Sequence, residues 1–277
     1  MSRAIVVCAV AFAASLAACS LLVSTDDLSS DAAGVDAGGD VVVADAPASS
    51  DGGSGPDAPD GGADAAIDPS LVGWWTFDET TGSTVFDKSG RGHDMAVSGV
   101  TFAPTGGKYG GAGIFATGSF GVVEALGGAG FPLSGTISIW FSHALADSGD
   151  TFNTRGLFDT WDKTRSHVFI RRYSMDAPGM LQVAVQAQST IGDYAWVQSF
   201  IAPRDAWTHV VLAWDSSTDR AALWVNGAPV RNGPYDKYPG TKPTMQELRI
   251  GKDFIGAIDE VRLYARVLTP AEALIVP

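Results

Sequence analysis

Hydrophobic and polar residues alternate along much of the chain from residue 70 onward. In the run MLQVAVQAQ (180–188), the odd positions are Leu, Val, Val and Ala, and three of the five even positions are Gln. This period of two is typical of a strand with one buried face. Comparable short runs recur about every ten residues, separated by Gly, Asp, Ser and Pro. The clearest are GTISIWFSH, HVFIRRYS, AWVQSFI, WTHVVLAWD, AALWV, ELRIG and AIDEVRLYA.

Two local signals add a turn and a helix to these strands. Asn226-Gly227 separates two apolar runs and is the preferred pair of a type I′ hairpin turn. The segment 269–275 is the one helical candidate, with Thr269 as its N-cap and Pro270 at its first position. Many strands and almost no helix predict an all-β fold, either a large sandwich or a barrel.

Composition divides the chain at residue 70. All eight Trp lie beyond this point, whereas residues 20–69 contain no aromatic residue and eleven Asp without any Lys, Arg or Glu. Such a segment cannot bury enough apolar surface to offset the entropy of ordering, so 20–69 is predicted to be a disordered acidic tether. Most of the net charge of −13 belongs to this tether, and no basic face for nucleic acid is indicated.

The first nineteen residues have the pattern of a targeting segment. Arg3 precedes a short apolar run that ends in Leu16-Ala17-Ala18-Cys19. This ending resembles the lipobox of bacterial lipoproteins, which implies cleavage before Cys19 and lipidation of its thiol. The alternatives are an ordinary secretory signal and an uncleaved anchor. The resemblance places residues 70–277 in the cell envelope on a lipid anchor, with the outer membrane favoured because Ser20 differs from the Asp used for inner-membrane retention.

Four segments of 70–277 resemble landmarks of bacterial laminin G-like domains, in the family's order. They are LVGWWTFDETTGSTVFDKSGRGHDM, LSGTISIWF, DAWTHVVLAWDSSTDRAALWVNGAPV and ELRIGKDFIGAIDEVRLYARVLTPAE. The resemblance implies a concanavalin A-like jelly roll, a two-sheet antiparallel β-sandwich with a short C-terminal helix. Residues 143–200 match least. The fold hosts lectins, adhesion modules and glycanases, so it does not specify a function.

The same resemblance implies a structural calcium ion that joins the opening segment to the last strand. The residues at the matching positions are Asp78, Asp87 and Asp259, with carbonyl oxygens around Gly92 and His93. Calcium takes six to eight oxygen ligands, which carboxylates, carbonyls and water can supply. The chain departs from the family at SGRGHDM, where Asn and a following Gly are more frequent. A zinc site is not indicated, because no two of the four histidines lie three or four residues apart.

Asp259 and Glu260 are adjacent carboxylates within an apolar run. Consecutive residues of a regular strand point to opposite faces, so we expect these two side chains on opposite sides of the sheet. Glycoside hydrolysis needs two carboxyl groups facing one bond, so the pair is predicted not to be catalytic. Without calcium, Asp259 would pair with Arg262 or Arg249, or cap a turn. Glu260 is predicted to be solvent-exposed or paired with an arginine.

Aromatic and polar residues of the divergent region 143–200 are the candidates for ligand binding. Sugar rings pack on aromatic faces, and Asp159 is expected to share a sheet face or loop with these residues. The candidate ligand-binding residues are Trp161, Arg171, Tyr173, Gln186, Gln188, Tyr194 and Trp196. Packing at a sheet edge is the alternative for each of them.

Three functions remain compatible with the sequence. The first is a non-catalytic, lipid-anchored module that binds glycans or glycoproteins. The second is a structural or adhesion module that recognises protein partners. The third is a glycan-cleaving enzyme whose two carboxylates come from distant strands.

Overall fold

A computed structural model of the chain describes residues 67–124, 126, 131–144, 156–160, 167–172, 180–186, 193–245 and 247–275. The predicted signal and tether, including Cys19, therefore lie outside the described residues, apart from 67–69. Within the described residues, no helix is both long enough and apolar enough to cross a membrane.

Sixteen strands in the described residues form two eight-stranded antiparallel sheets. Sheet A has the order β14-β13-β12-β7-β16-β5-β4, with β1 paired to β16. Its strands are β1 (Leu71–Trp75), β4 (Thr101–Ala103), β5 (Ala112–Phe115), β7 (Ser134–His143), β12 (Thr208–Asp215), β13 (Arg220–Val225), β14 (Ala228–Pro234) and β16 (Gly256–Tyr264). Sheet B has the order β11-β10-β9-β8-β15-β6-β3-β2. Its strands are β2 (Thr84–Val85), β3 (Met95–Ser98), β6 (Phe120–Val123), β8 (Gly156–Asp159), β9 (Val168–Arg172), β10 (Met180–Gln186), β11 (Tyr194–Ile201) and β15 (Leu248–Lys252).

The core lies between the two sheets and draws alternate residues from each. On β7 of sheet A, Ile137, Ile139 and Phe141 are fully buried, and on β10 of sheet B, Val183 and Val185 belong to the same cluster. Burying one face of each strand in this way favours a two-layer sandwich. The predicted all-β, concanavalin A-like sandwich is confirmed.

The predicted turn and helix both form, for the reasons expected from the sequence. Asn226 and Gly227 connect β13 to β14 with φ of 50° and 77°, as a type I′ turn requires. Helix α1 spans Pro270–Ile275. The Thr269 N–H donates to Glu272 Oε2 (2.7 Å) and the Glu272 N–H donates to Thr269 Oγ1 (3.3 Å), which together make a capping box.

A β-bulge on β16 corrects the expectation for Asp259 and Glu260. Asp259 pairs with Trp140 and Arg262 pairs with Ser138, so β16 has one more residue than β7 between these pairs. Glu260 takes the extra position with a φ of 51°. Ile258 and Val261 on either side both point into the core, so Asp259 and Glu260 both project from the outer face of sheet A. The strict alternation assumed from the sequence fails at this one residue.

Candidate functional site

The outer face of sheet B carries a continuous row of polar and aromatic side chains. The strand register places Arg249, Asp159 and Phe169 side by side on β15, β8 and β9. The next row along β9 and β10 pairs Arg171 with Gln182. We call this surface the Arg171 face and define it by Asp159, Phe169, Arg171, Gln182, Tyr194 and Arg249.

Arg171 is held rigidly at the centre of this face. Its guanidinium lies 4.2 Å from the centroid of the Phe169 ring, and its Nη2 donates to Tyr194 Oη (2.8 Å) and to Gln182 Oε1 (3.1 Å). In the described part of the chain no carboxylate lies within ion-pair distance of Arg171. Its Nε is buried without a hydrogen-bond partner. The side chain is therefore a positioned cation with donor capacity to spare.

Asp159 lies in the neighbouring row of the same face and retains about 29% exposure of its side chain. Burial raises the pKa of Asp159 to about 7, although Arg249 and Arg171 act to lower it. The Nδ1 atom of His167 is 3.9 Å from Oδ1, and that oxygen has no hydrogen-bond partner. The face therefore offers a carboxyl whose pKa is raised by burial, near a guanidinium held by its neighbours.

The structure separates the predicted ligand-binding residues into three groups. Arg171 and Tyr194 meet on the Arg171 face, as described above. Gln186 is only 3% exposed, and Trp196 is fully buried on the core side of β11 with Arg231 4.9 Å from its ring centroid. Core packing thus accounts for the indole of Trp196. The remaining three candidates, Trp161, Tyr173 and Gln188, lie outside the described residues, and the ligand site as a whole stays a prediction.

Phe169 and Gln182 belong to the face but were not singled out from the sequence. The signal was present in the alternation of HVFIRRYS and MLQVAVQAQ, which puts positions 169 and 171 on one side of β9. Which side faces solvent depends on the pairing of β9 with β10, and a single sequence does not specify that pairing.

The residues predicted to bind calcium fall into two separate hydrogen-bond networks. In the first, Asp78 Oδ1 accepts the Gly111 N–H (2.7 Å) and Asp259 Oδ2 accepts the Tyr109 N–H (2.9 Å). Both carboxylates thus meet residues 105–111, which we call the glycine loop. A Cβ at Gly110 would lie 2.5 Å from Asp78 Oδ1, so this close approach requires glycine.

Asp259 is fully buried, and its Oδ1 has no hydrogen-bond partner. Burial raises its pKa to about 7, and the charges of Glu260 and Asp78 add to this effect, while the hydrogen bond from Tyr109 opposes it. No ion pair joins Asp259 to Arg262 or Arg249 within the described residues. An unpaired buried carboxylate beside a second carboxylate is a suitable position for a cation.

Asp87 and His93 belong to the second network, with Gly92 in the loop between them, and the hydrogen bonds of Asp87 leave little room for a metal ion. The carboxylate of Asp87 accepts the N–H groups of Trp74 (2.9 Å), Ser89 (2.8 Å) and His93 (3.0 Å), together with the Ser89 hydroxyl. These donors lower the pKa of Asp87 although burial opposes them, and they occupy its oxygens. The His93 carbonyl accepts the indole N–H of Trp75 (2.8 Å).

The second network therefore fastens the loop at 87–93 to β1. Among the described residues, no group of three or more His, Cys, Asp or Glu has an arrangement suited to a metal. Any ion at the glycine loop would depend on two carboxylates and on carbonyl or water oxygens.

A family profile and several solved structures match this arrangement. The profile of the Laminin_G_3 family, described as the concanavalin A-like lectin/glucanases superfamily, matches residues 124–273. The chain belongs to this superfamily. A search of curated proteins found no significant match.

Solved structures similar to this superfamily member include a domain of a glycan-cleaving enzyme and the binding domain of a neurotoxin. Domain 4 of an extracellular arabinanase from Geobacillus stearothermophilus, solved with arabinotriose, is 19% identical with a TM-score of 0.54, covering 74% of this chain and 97% of that chain. The binding domain of botulinum neurotoxin DC, solved with rat synaptotagmin II, is 15% identical with a TM-score of 0.57, covering 76% of this chain and 51% of that chain. This chain thus spans about half the length of the neurotoxin domain. At these identities the likeness establishes the fold alone.

Membership of a lectin/glucanase superfamily makes the two bulge carboxylates the natural place to look for hydrolysis. Glu260 Oε2 accepts the Trp74 indole N–H (2.8 Å) and pairs with Arg262 Nη2 (2.7 Å), and the residue is 6% exposed. Its predicted pairing with an arginine is confirmed, but its predicted exposure is wrong. Burial raises the pKa of Glu260, while Arg262 and Trp74 act to lower it. Both carboxylates are on one face, yet both are enclosed by the protein's own groups.

Proposed function

We propose that this protein is a non-catalytic binding module of the cell envelope that takes a glycan or glycoconjugate at the Arg171 face. The observation that carries the proposal is the guanidinium of Arg171, which Phe169, Gln182 and Tyr194 hold in place near the partly exposed carboxyl of Asp159. Sugar hydroxyls bind to such pairs of donor and acceptor groups.

A binding role is favoured over hydrolysis because of the surroundings of the carboxylates. A glycosidase needs two carboxyl groups that reach the scissile bond from the substrate cleft. Asp259 and Glu260 are 0% and 6% exposed, so neither is accessible to a polysaccharide chain. The arabinotriose bound to the similar arabinanase domain supports a glycan as the ligand.

The proposal includes a lipid anchor at Cys19 and a tether of residues 20–69. Both rest on the lipobox-like ending LAAC and on the aromatic-free, Asp-rich composition that follows it. Such an arrangement would hold the binding module at a membrane surface while allowing it to search the space around its anchor.

We also propose that Asp78 and Asp259 hold a calcium ion against the glycine loop. The buried Oδ1 of Asp259, which has no hydrogen-bond partner, supports this assignment, and both carboxylates accept hydrogen bonds from the glycine loop. Calcium would supply positive charge to a site where two carboxylates otherwise oppose each other. Asp87, Gly92 and His93 are not part of this proposal.

The test is binding of the full chain to a broad glycan and polysaccharide array in millimolar calcium. We expect a defined set of hits, weakened at least tenfold by Arg171→Met. The matched control is Arg204→Met, since Arg204 is an exposed arginine paired only with its neighbour Asp205 (3.1 Å). Hits that survive Arg171→Met unchanged would place the ligand elsewhere on the module.

A protein partner is the second candidate function, because a similar neurotoxin domain was solved with synaptotagmin II. A blank array would favour this reading. Release of reducing ends from any polysaccharide, abolished by a single Asp or Glu substitution, would instead make the protein an enzyme.

A further inference from the structure

The outer face of sheet A contains a cavity of about 320 Å³ that none of the roles above uses. It lies where β12, β13 and β14 meet the segment that leads into helix α1. We call it the alanine pocket and define it by Ala213, Ala222, Arg220, Asn232, Val267 and Pro270. It is on the opposite side of the sandwich from the Arg171 face, because the two outer faces belong to different sheets.

Two small side chains create the floor of the alanine pocket. Ala213 on β12 is directly opposite Ala222 on β13, which is directly opposite Asn232 on β14. Side chains at directly opposed positions lie close together, so two methyl groups in one row leave a depression that larger residues would fill. Trp224 stands one row further along β13 and closes one end. Val267 and Pro270 form a side wall from outside the sheet.

Helix α1 covers only part of this apolar surface. Ala273 packs with Val211, Ala213, Ala222 and Trp224 in a small cluster separate from the main core. Because α1 has six residues, it is too short to extend over the row that contains Arg220. The pocket is therefore the part of the outer face that the helix leaves open.

The open end of the pocket is polar and contains both donors and acceptors. Arg220 Nη2 donates to Asn232 Oδ1 (3.3 Å), and within the described structure no carboxylate lies within ion-pair distance of Arg220. The facing Asp215 carboxylate accepts the hydroxyls of Ser134, Ser217 and Thr218. These hydrogen bonds keep the pKa of Asp215 well below its usual range. One fixed cation thus faces one fixed anion, and the pair does not favour a ligand of either charge.

We infer that the alanine pocket binds one neutral sugar unit, as a second glycan site of the module. A ring with an apolar C–H face suits the two methyl groups, and its hydroxyls can accept hydrogen bonds from Arg220 and Asn232. The volume, at the small end of ligand pockets, fits a single ring and not an extended chain. This inference rests on the proposed glycan binding. Two sites on opposite faces would allow one module to bridge two glycan chains.

The test uses two-dimensional NMR of the full chain with selectively labelled alanine methyl groups. Neutral monosaccharides (glucose, galactose, mannose, arabinose and N-acetylglucosamine) are titrated in turn, first in the Arg171→Met background so that the Arg171 face is disabled. We expect at least one sugar to shift the Ala213 and Ala222 signals saturably. Ala222→Leu, which fills the floor, should weaken this binding at least tenfold, and Arg220→Met should weaken it several-fold.

The matched control is Ala228→Leu, the same substitution at an exposed position of β14 outside the pocket. It should leave the titration unchanged. Arg220 is exposed, so Arg220→Met tests the pocket even if Ala222→Leu disturbs folding. Absence of any saturable shift at Ala213 and Ala222 with all five sugars would overturn the inference, as would binding that survives both variants. Failure of the proposed function itself would appear differently, as a blank glycan array.

Discussion

The outer faces of the two sheets both carry charged side chains, but they use them differently. On sheet A, Glu260 is enclosed by Arg262 and Trp74, and Asp259 is enclosed by the glycine loop. On sheet B, Arg171 is equally well held, by Phe169, Gln182 and Tyr194, yet none of these partners is a carboxylate. Charges that are matched within the protein stabilise or specify the fold. A positioned charge such as the Arg171 guanidinium, which has no carboxylate within ion-pair distance among the described residues, is the better candidate for binding a ligand.

The difference follows from strand geometry as much as from residue type. The β16 bulge turns two consecutive carboxylates to one side of sheet A, where Arg262 of the same strand neutralises one of them. On sheet B, the residue of β10 directly opposite Arg171 is Gln182, so that strand places no acidic residue opposite the guanidinium. On sheet A, one extra residue in β16 thus places both carboxylates on the outer face, where the protein's own groups enclose them.

The largest loss of stability is expected when one partner of the Glu260–Arg262 pair is removed. Glu260→Gln or Arg262→Met should each lower the free energy of unfolding by about 3–5 kcal/mol, because the other charge remains buried. Urea denaturation measures the loss. Arg204→Gln, which removes an exposed charge, should cost no more than about 1 kcal/mol. Equal effects at both sites would mean that the bulge pair is not buried as described.

The pH dependence of stability tests the state of Asp259. The pKa of Asp259 is about 7 in the folded state, which is above its value in the unfolded state. At a pH between these two pKa values, the folded state therefore binds more protons than the unfolded state. In chelator, stability should therefore fall as pH rises from about 4 to 7, by up to about 4 kcal/mol at 1.36 kcal/mol per pKa unit. Asp259→Asn should remove much of this slope. Because the pKa of Asp159 is also raised to about 7, Asp159→Asn is the companion variant.

Calcium should act at the same carboxylate and oppose this loss. An ion that binds only the folded state stabilises it by about 2.7 kcal/mol at a concentration one hundred times its Kd. Thermal melts in calcium and in chelator at pH 7.5 should differ, and Asp259→Asn should abolish the difference. Asp87→Asn should preserve it, since Asp87 lies in the other network. An unchanged melt in chelator would reject the ion.

The smallest loss of stability is expected when an exposed ion pair is removed. Arg266 pairs with Asp68 and Glu272, both at 2.6 Å, and joins the segment before β1 to helix α1. Its side chain is 35% exposed, so Arg266→Met should cost only about 0.2–1 kcal/mol in urea denaturation. A larger loss would show that contact between the two ends of the domain carries part of its stability.

Local features were predictable from sequence wherever a single strand or turn determines them. The alternation of β10, the turn at Asn226-Gly227 and the cap at Thr269 all depend on residues close together in the chain. The burial of Gln182 and Gln186 was not predictable, because it depends on the strand pairing that sets Gln182 opposite Arg171 of β9 and Gln186 opposite Tyr194 of β11. Trp196, an aromatic residue beside polar ones in sequence, is a core residue because β11 pairs with β10 so that Trp196 lies opposite the core residue Val185.

The sequence by itself determined the all-β class and the positions of most strands, and it predicts the division at residue 70, because composition and periodicity are local properties. Tertiary structure decided what the charges do. The bulge at Glu260 depends on how β16 pairs with β7, and the shared contact of Asp78 and Asp259 with the glycine loop depends on where that loop lies. Among the described residues, the lack of an ion pair at Arg171 depends on which strands surround it. Each of these facts is a relation between residues far apart in sequence, and it exists only once the sheets have formed.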